Sequence, residues 1–132
     1  MIVVDTHALV WQLNADVKIG RRARARLETA LAREDLCVSA VAFWEIALLV
    51  SRDRLRLDTT TTHFRWRVLQ MGIRELPVGG DVALQAAALA PVLIDPIDCF
   101  MAATALAHGA TLMTADKRVL DARVVAVLDA RR

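Results

Sequence analysis

The chain has 132 residues, 56% of them hydrophobic and 24% charged, with a net charge of +2. That length fits a single domain over residues 1–132 with one sizeable core, and the hydrophobic fraction excludes a disordered chain. No apolar run approaches the ~20 residues of a membrane span and no basic leader precedes the first apolar residues, so a soluble, cytoplasmic protein is expected.

Ile2-Val3-Val4 is a short, mostly β-branched run that ends on a carboxylate, Asp5. Such a run reads as a fully buried strand of a parallel sheet. Asp5 then stands at the C-terminal edge, where open α/β sheets bind ligands. Capping of the following helix, Ala8 to Leu13, is the competing assignment for this residue. Ile19 to Arg33 carries helical periodicity through Ile19, Ala23, Leu27, Ala30 and Leu31, and its other face holds Arg21, Arg22, Arg24 and Arg26. Of the 17 basic residues only Lys18 and Lys117 are lysine, but a charge run of this kind is ordinarily a solvated helix face.

Leu36-Cys37-Val38 is a second buried strand, with Ser39 as a cap for the next helix. That helix, Ala40 to Val50, is apolar all round except for Glu45, which predicts burial on most sides by the core and by another chain. A lone carboxylate there calls for a partner: a metal ion, or one of Arg52, Arg54 and Arg56. Thr59 to Thr62 cap a helix over Phe64, Val68 and Leu69, and Ile73 to Val78 is a third strand or extended segment. Gly79-Gly80-Asp81 lacks the ending of a phosphate loop and is read as a turn into a helix from Val82 to Leu89.

The stretch from Asp95 to Gly109 reads as a helix with Pro96 in its first turn and Gly109 as its C-terminal cap, which puts Asp95 and Asp98 at its N-terminus. Thr111-Leu112-Met113 is a fourth strand followed by Thr114-Ala115-Asp116, and Val124 to Leu128 is a fifth. Cys37 and Cys99 are too few and too isolated for a disulfide scaffold or zinc cluster and are expected as buried free thiols. Strands and helices in this alternation predict an α/β domain around a parallel sheet with right-handed crossovers.

In such a sheet Asp5, Glu45, Asp98 and Asp116 share one end. Unpaired carboxylates at ~5 Å repel by about 3 kcal/mol per pair at an effective dielectric near 20, so a cation is expected among them. Oxygen donors without a Cys or His cluster select Mg²⁺ or Mn²⁺, and a site of that kind suits metal-assisted phosphodiester hydrolysis. An aspartyl-phosphate phosphotransferase is set aside, because the position two residues after Asp5 is His7.

The motifs Val-Val-Asp5-Thr6-His7-Ala8-Leu9, Ser39-Ala40-Val41-Ala42-Phe43-Trp44-Glu45-Ile46, Asp95-Pro96-Ile97-Asp98 leading into Ala102-Ala103-Thr104-Ala105, and Thr114-Ala115-Asp116 together resemble the PIN-domain family. Within it they most resemble VapC-like toxins of bacterial type II toxin–antitoxin systems. The resemblance implies a PIN-like α/β/α sandwich with a central parallel sheet of about five strands, Mg²⁺- or Mn²⁺-dependent endoribonuclease activity on an RNA substrate, a homodimer, and a VapB-like antitoxin as partner. It further implies Asp5 and Asp98 as main metal ligands, Asp116 as a second ligand, and Glu45 ligating the metal or orienting the attacking water. Thr6 and Thr114 would hold a carboxylate or a phosphate oxygen, and Asp95 would support or substitute for Asp98. Such toxins often carry arginine directly after the aspartate that opens the last long helix; here that residue is Cys99. A housekeeping PIN-type nuclease and a catalytically weak, partner-binding PIN domain are the alternative readings.

Overall fold

Ile2, Val3 and Val4 form β1, and all three are buried because strands lie against both of its edges and helices over the sheet. The structure, a computed structural model, describes residues 1–132. The elements run β1 (Ile2–Val4), α1 (Thr6–Leu13), α2 (Arg21–Ala32), β2 (Leu36–Ser39), α3 (Val41–Ser51), α4 (Thr61–Gln70), β3 (Arg74–Leu76), α5 (Gly80–Leu89), α6 (Pro96–Ala107), β4 (Thr111–Thr114), α7 (Lys117–Ala122) and β5 (Val127–Asp129).

The five strands are all parallel, in the order β3-β2-β1-β4-β5. Val3 pairs with Cys37 on one side and with Leu112 on the other. Chain order therefore runs outward from β1 in both directions, and the reversal falls between β1 and β4. That is the crevice where sheets of this kind bind ligands, outside the carboxyl ends of the strands. Helices flank the sheet as in a PIN-like α/β/α sandwich, and no helix is long and apolar enough to cross a membrane.

Helix α6 is the element on which the core closes. Met101, Ala102, Ala103, Thr104 and Ala105 are all buried, and the small side chains let the helix approach α5 and the sheet closely. Its start follows from Asp95, whose carboxylate accepts from the Ile97 N–H at 2.8 Å, and from Pro96, whose fixed φ suits the first helical turn. Gly109 lies in the left-handed region at φ +58°, as a helix C-terminus favours. Cys37 and Cys99 are buried free thiols, as their isolation in the sequence predicts.

Several boundaries differ from the sequence reading, each for a local reason. Helix α2 begins at Arg21 rather than Ile19, because Gly20 is extended and its N–H is bonded to Ala130 O at 2.8 Å. The fifth strand begins at Val127 rather than Val124: Arg123 takes a left-handed conformation that ends α7, and the Ala126 carbonyl then opens the ladder by accepting from Leu112 N–H. Helix α3 is covered less than its composition predicts, since within this chain only Ala42 and Ile46 are buried and Trp44 is 57% exposed.

Candidate active site

The switch-point crevice opens into a pocket of about 320 Å³ lined by Asp5, Glu45, Asp95, Asp98 and Asp116, with Thr6 and His7 beside Asp5. Five carboxylates from four separate parts of the sequence meet there. Asp5 follows β1, Glu45 comes from the second turn of α3, Asp95 and Asp98 open α6, and Asp116 follows β4.

Asp5 does both of the jobs its position suggests. Its Oδ1 accepts from the Ala8 N–H at 3.0 Å and so caps α1, while its Oδ2 accepts from the Thr114 hydroxyl. The Thr114 oxygen in turn accepts from the Asp116 N–H at 3.1 Å, which leaves its own proton for Asp5. Asp5's backbone is tied to β4 as well, through Asp5 N–H to Met113 O at 2.9 Å. Burial pushes the Asp5 carboxyl above its usual range, and the bonds from Thr114 and Ala8 with the nearby His7 offset only part of that rise.

Asp98 is pushed up to about 7, by burial first and then by the like charges of Asp116, Asp95 and Asp5. Asp116 goes the opposite way. Burial raises it, but bonds from the Arg118 side chain and N–H outweigh that and hold it below the usual carboxylate range. Without a cation the Asp98 carboxyl therefore takes up a proton at a far higher pH than a free one, while Asp116 is held ionised. Glu45 is half-buried and enters none of the ion pairs of the chain, so the arginine partner that its sequence context allows is absent. The Thr6 hydroxyl is buried with no hydrogen-bond partner, a cost that a ligand in the pocket would relieve.

This donor set fits a hard divalent cation. The carboxylates do not form a ready-made cage: no three of the Asp, Glu, His or Cys side chains stand close enough together to hold a metal ion between them. An open arrangement suits Mg²⁺, which keeps several waters and takes only one or two protein carboxylates. The excess negative charge supplies the attraction, and below neutral pH a cation would compete with the proton on Asp98. Replacing Thr114 by Val tests the support of Asp5 without altering shape: the Asp5 carboxyl should rise further, and Mn²⁺ affinity measured by calorimetry should fall by about 10–100-fold.

The structure thus brings Asp5, Thr6, Glu45, Asp95, Asp98 and Asp116 to one pocket and sets Thr114 directly behind Asp5. Sequence reasoning does not single out Arg118, Arg131 or the site-facing side of Trp11, all of which line the pocket. Arg118 has a legible signal, its place two residues after Asp116; Arg131 has none, because only the docking of the last strand carries it there. Cys99 is not on the pocket wall: it is buried, and its thiol donates to Leu93 O at 2.9 Å.

The PIN domain family model matches residues 2–125. Ribonuclease VapC22 of Mycobacterium tuberculosis (strain ATCC 25618 / H37Rv) is 27% identical over 119 residues, covering 89% of this chain and 88% of that protein. Among solved structures, FitAcB from Neisseria gonorrhoeae is similar with a TM-score of 0.70 at 26% identity, covering 98% of each chain. A toxin–antitoxin complex from Klebsiella pneumoniae shares the fold with a TM-score of 0.65 at 19% identity, again over 98% of both chains. With the acidic motifs in family order and the match running through β1 to α7, the chain belongs to the PIN-domain family.

Proposed function

We propose that this chain is a metal-dependent endoribonuclease, the toxin of a VapBC-type toxin–antitoxin system, and that Asp5, Glu45, Asp98 and Asp116 form its catalytic centre. The observation that carries the reading is the meeting of these four carboxylates in one open pocket at the switch point of the sheet. The likeness to Ribonuclease VapC22 and to toxin–antitoxin structures supports the substrate class and an antitoxin partner.

Asp5 and Asp98 would hold Mg²⁺ or Mn²⁺, with Asp116 reaching it through a bound water, and the ion when bound supplies positive charge to the phosphate oxygens and lowers the pKa of the attacking water. Thr114 and the Ala8 N–H keep the Asp5 carboxylate fixed in one orientation. Arg118 keeps Asp116 ionised and facing the pocket. Glu45, half-buried and free of an ion pair, is placed to orient the attacking water and take its proton. The unpartnered Thr6 hydroxyl offers a donor to a phosphate oxygen, and Asp95 caps α6 while adding negative charge beside Asp98 that would strengthen the pull on a cation.

The partners proposed with this activity are a second copy of the chain and a VapB-like antitoxin, for which the uncovered apolar surface around Trp44 and Trp66 provides contact area. The cytoplasm, where RNA is met, is the proposed compartment. The binding-only alternative rests on Cys99 standing where such toxins often carry arginine, and cleavage of RNA by the purified protein decides between the two; the thiol itself is buried and donates to Leu93 O.

Purified, antitoxin-free protein incubated with total RNA and Mg²⁺ or Mn²⁺ should give discrete products, and EDTA should abolish them. Absence of cleavage by folded protein in either metal overturns the reading.

A further inference from the structure

The proposed chemistry leaves one difficulty at the pocket. The five carboxylates outnumber the two charges of one divalent cation, so fixed positive charge at the entrance would favour the approach of the RNA backbone. Two guanidinium groups line the pocket. Arg118 is committed to Asp116, with Nη2 at 3.3 Å from Oδ2. Arg131 enters no ion pair.

Arg131 is also held in place from several directions. Its guanidinium carbon lies 5.3 Å from the centroid of the Trp11 ring, a cation–π contact that orients the planar fork while leaving its N–H edge available. Lys18 approaches the same ring at 6.0 Å but is paired with Asp16. The backbone on either side of Arg131 is pinned: Gly20 N–H donates to Ala130 O at 2.8 Å, Arg22 N–H to Arg132 O at 2.9 Å, and Arg131 N–H to Asp129 Oδ1 at 2.9 Å. This docking needs glycine at position 20, because a Cβ there would lie 2.1 Å from the Arg132 carbonyl carbon.

We infer that Arg131 is an RNA-binding residue of this site, a preorganised phosphate clamp delivered to the pocket mouth by the docking of residues 130–132 on the start of α2. The inference rests on the ribonuclease reading and adds the group that holds the substrate's backbone. An arginine fork suits a phosphate at this place, and a single such contact carries no base specificity.

The test uses the full chain with Asp5→Asn as a non-cleaving parent and a short fluorescein-labelled single-stranded RNA of mixed sequence, read by anisotropy over a range of salt. Adding Arg131→Ala should weaken binding about tenfold and lower the slope of log affinity against log salt by about 0.7, the loss of one single-strand phosphate contact. Arg123→Ala, an exposed arginine outside the pocket, should change neither. Gly20→Ala should reproduce the Arg131→Ala effect by dislodging the tail, and Arg131→Ala itself should melt like its parent. RNA binding by Arg131→Ala within twofold of the parent, at the same salt slope, overturns the inference while leaving the ribonuclease reading intact. If that variant instead loses only affinity for an antitoxin, the contact belongs to a protein and the inference also falls. No RNA binding by the parent together with no cleavage by the unaltered protein overturns the ribonuclease reading itself.

Discussion

Asp5→Asn should lower RNA cleavage more than about a hundredfold while the protein stays folded. The two halves of this expectation have separate causes. Asparagine is as good an N-cap as aspartate, so its side-chain oxygen can still accept from Ala8 N–H and α1 keeps its start. The amide nitrogen then stands where Oδ2 was and donates to the Thr114 hydroxyl oxygen, reversing that bond without emptying the position. What is lost is a negative charge at the pocket floor, and with it a hard anionic donor for a divalent cation. Asp5→Ala would confound the two effects, because losing the cap costs about 1 kcal/mol by itself. Circular dichroism and thermal melting beside the cleavage assay check the separation. Wild-type cleavage by the Asn variant would remove Asp5 from the catalytic centre.

Asp98→Asn should also destroy activity, yet make the metal-free protein more stable above neutral pH. The sign follows from the direction of the shift. Asp98 titrates at about 7 in the folded chain, against 3.8 for a free side chain, so folding retains a proton that the unfolded chain gives up. The resulting penalty is absent below about pH 4, grows as pH rises toward 7, and is constant above that. Three pKa units correspond to ~4 kcal/mol, but Asp98 is half-exposed, and solvent screening brings the expected gain to about 1–2 kcal/mol. Melting at pH 8 in EDTA should therefore rise by roughly 4 °C or more in the variant, with no difference near pH 4. Saturating Mg²⁺ should narrow the gap by stabilising only the unaltered protein. Equal melting temperatures at pH 8 would mean that burial and the neighbouring carboxylates do not penalise the Asp98 anion as the pocket implies.

The site was more legible in the sequence than the surface around it. Asp5, Asp98 and Asp116 could be found because each stands directly after a strand-like run or at a marked helix start, and a parallel sheet collects such positions at one end. Glu45 could be found because it interrupts an apolar helix. Arg131 could not, since its place depends on backbone bonds between residues 130–132 and α2 that span most of the chain and leave no local pattern. Six-residue α7 was missed for a related reason: Lys117 to Ala122 is too short to display a period. The apolar run of α3 misled in the other direction, because composition reports what a helix prefers to bury and not whether the same chain supplies the cover.

The central position of β1 has a consequence for synthesis. Residues 2–4 leave the ribosome long before one of their two sheet neighbours, β4, which is residues 111–114, and Asp98 and Asp116 also belong to the last third of the chain. Long-range parallel pairings of this kind form slowly and only after the intervening loop has been closed. A nascent chain exposes Asp5 long before its partner carboxylates exist, so a half-made copy has no acidic centre.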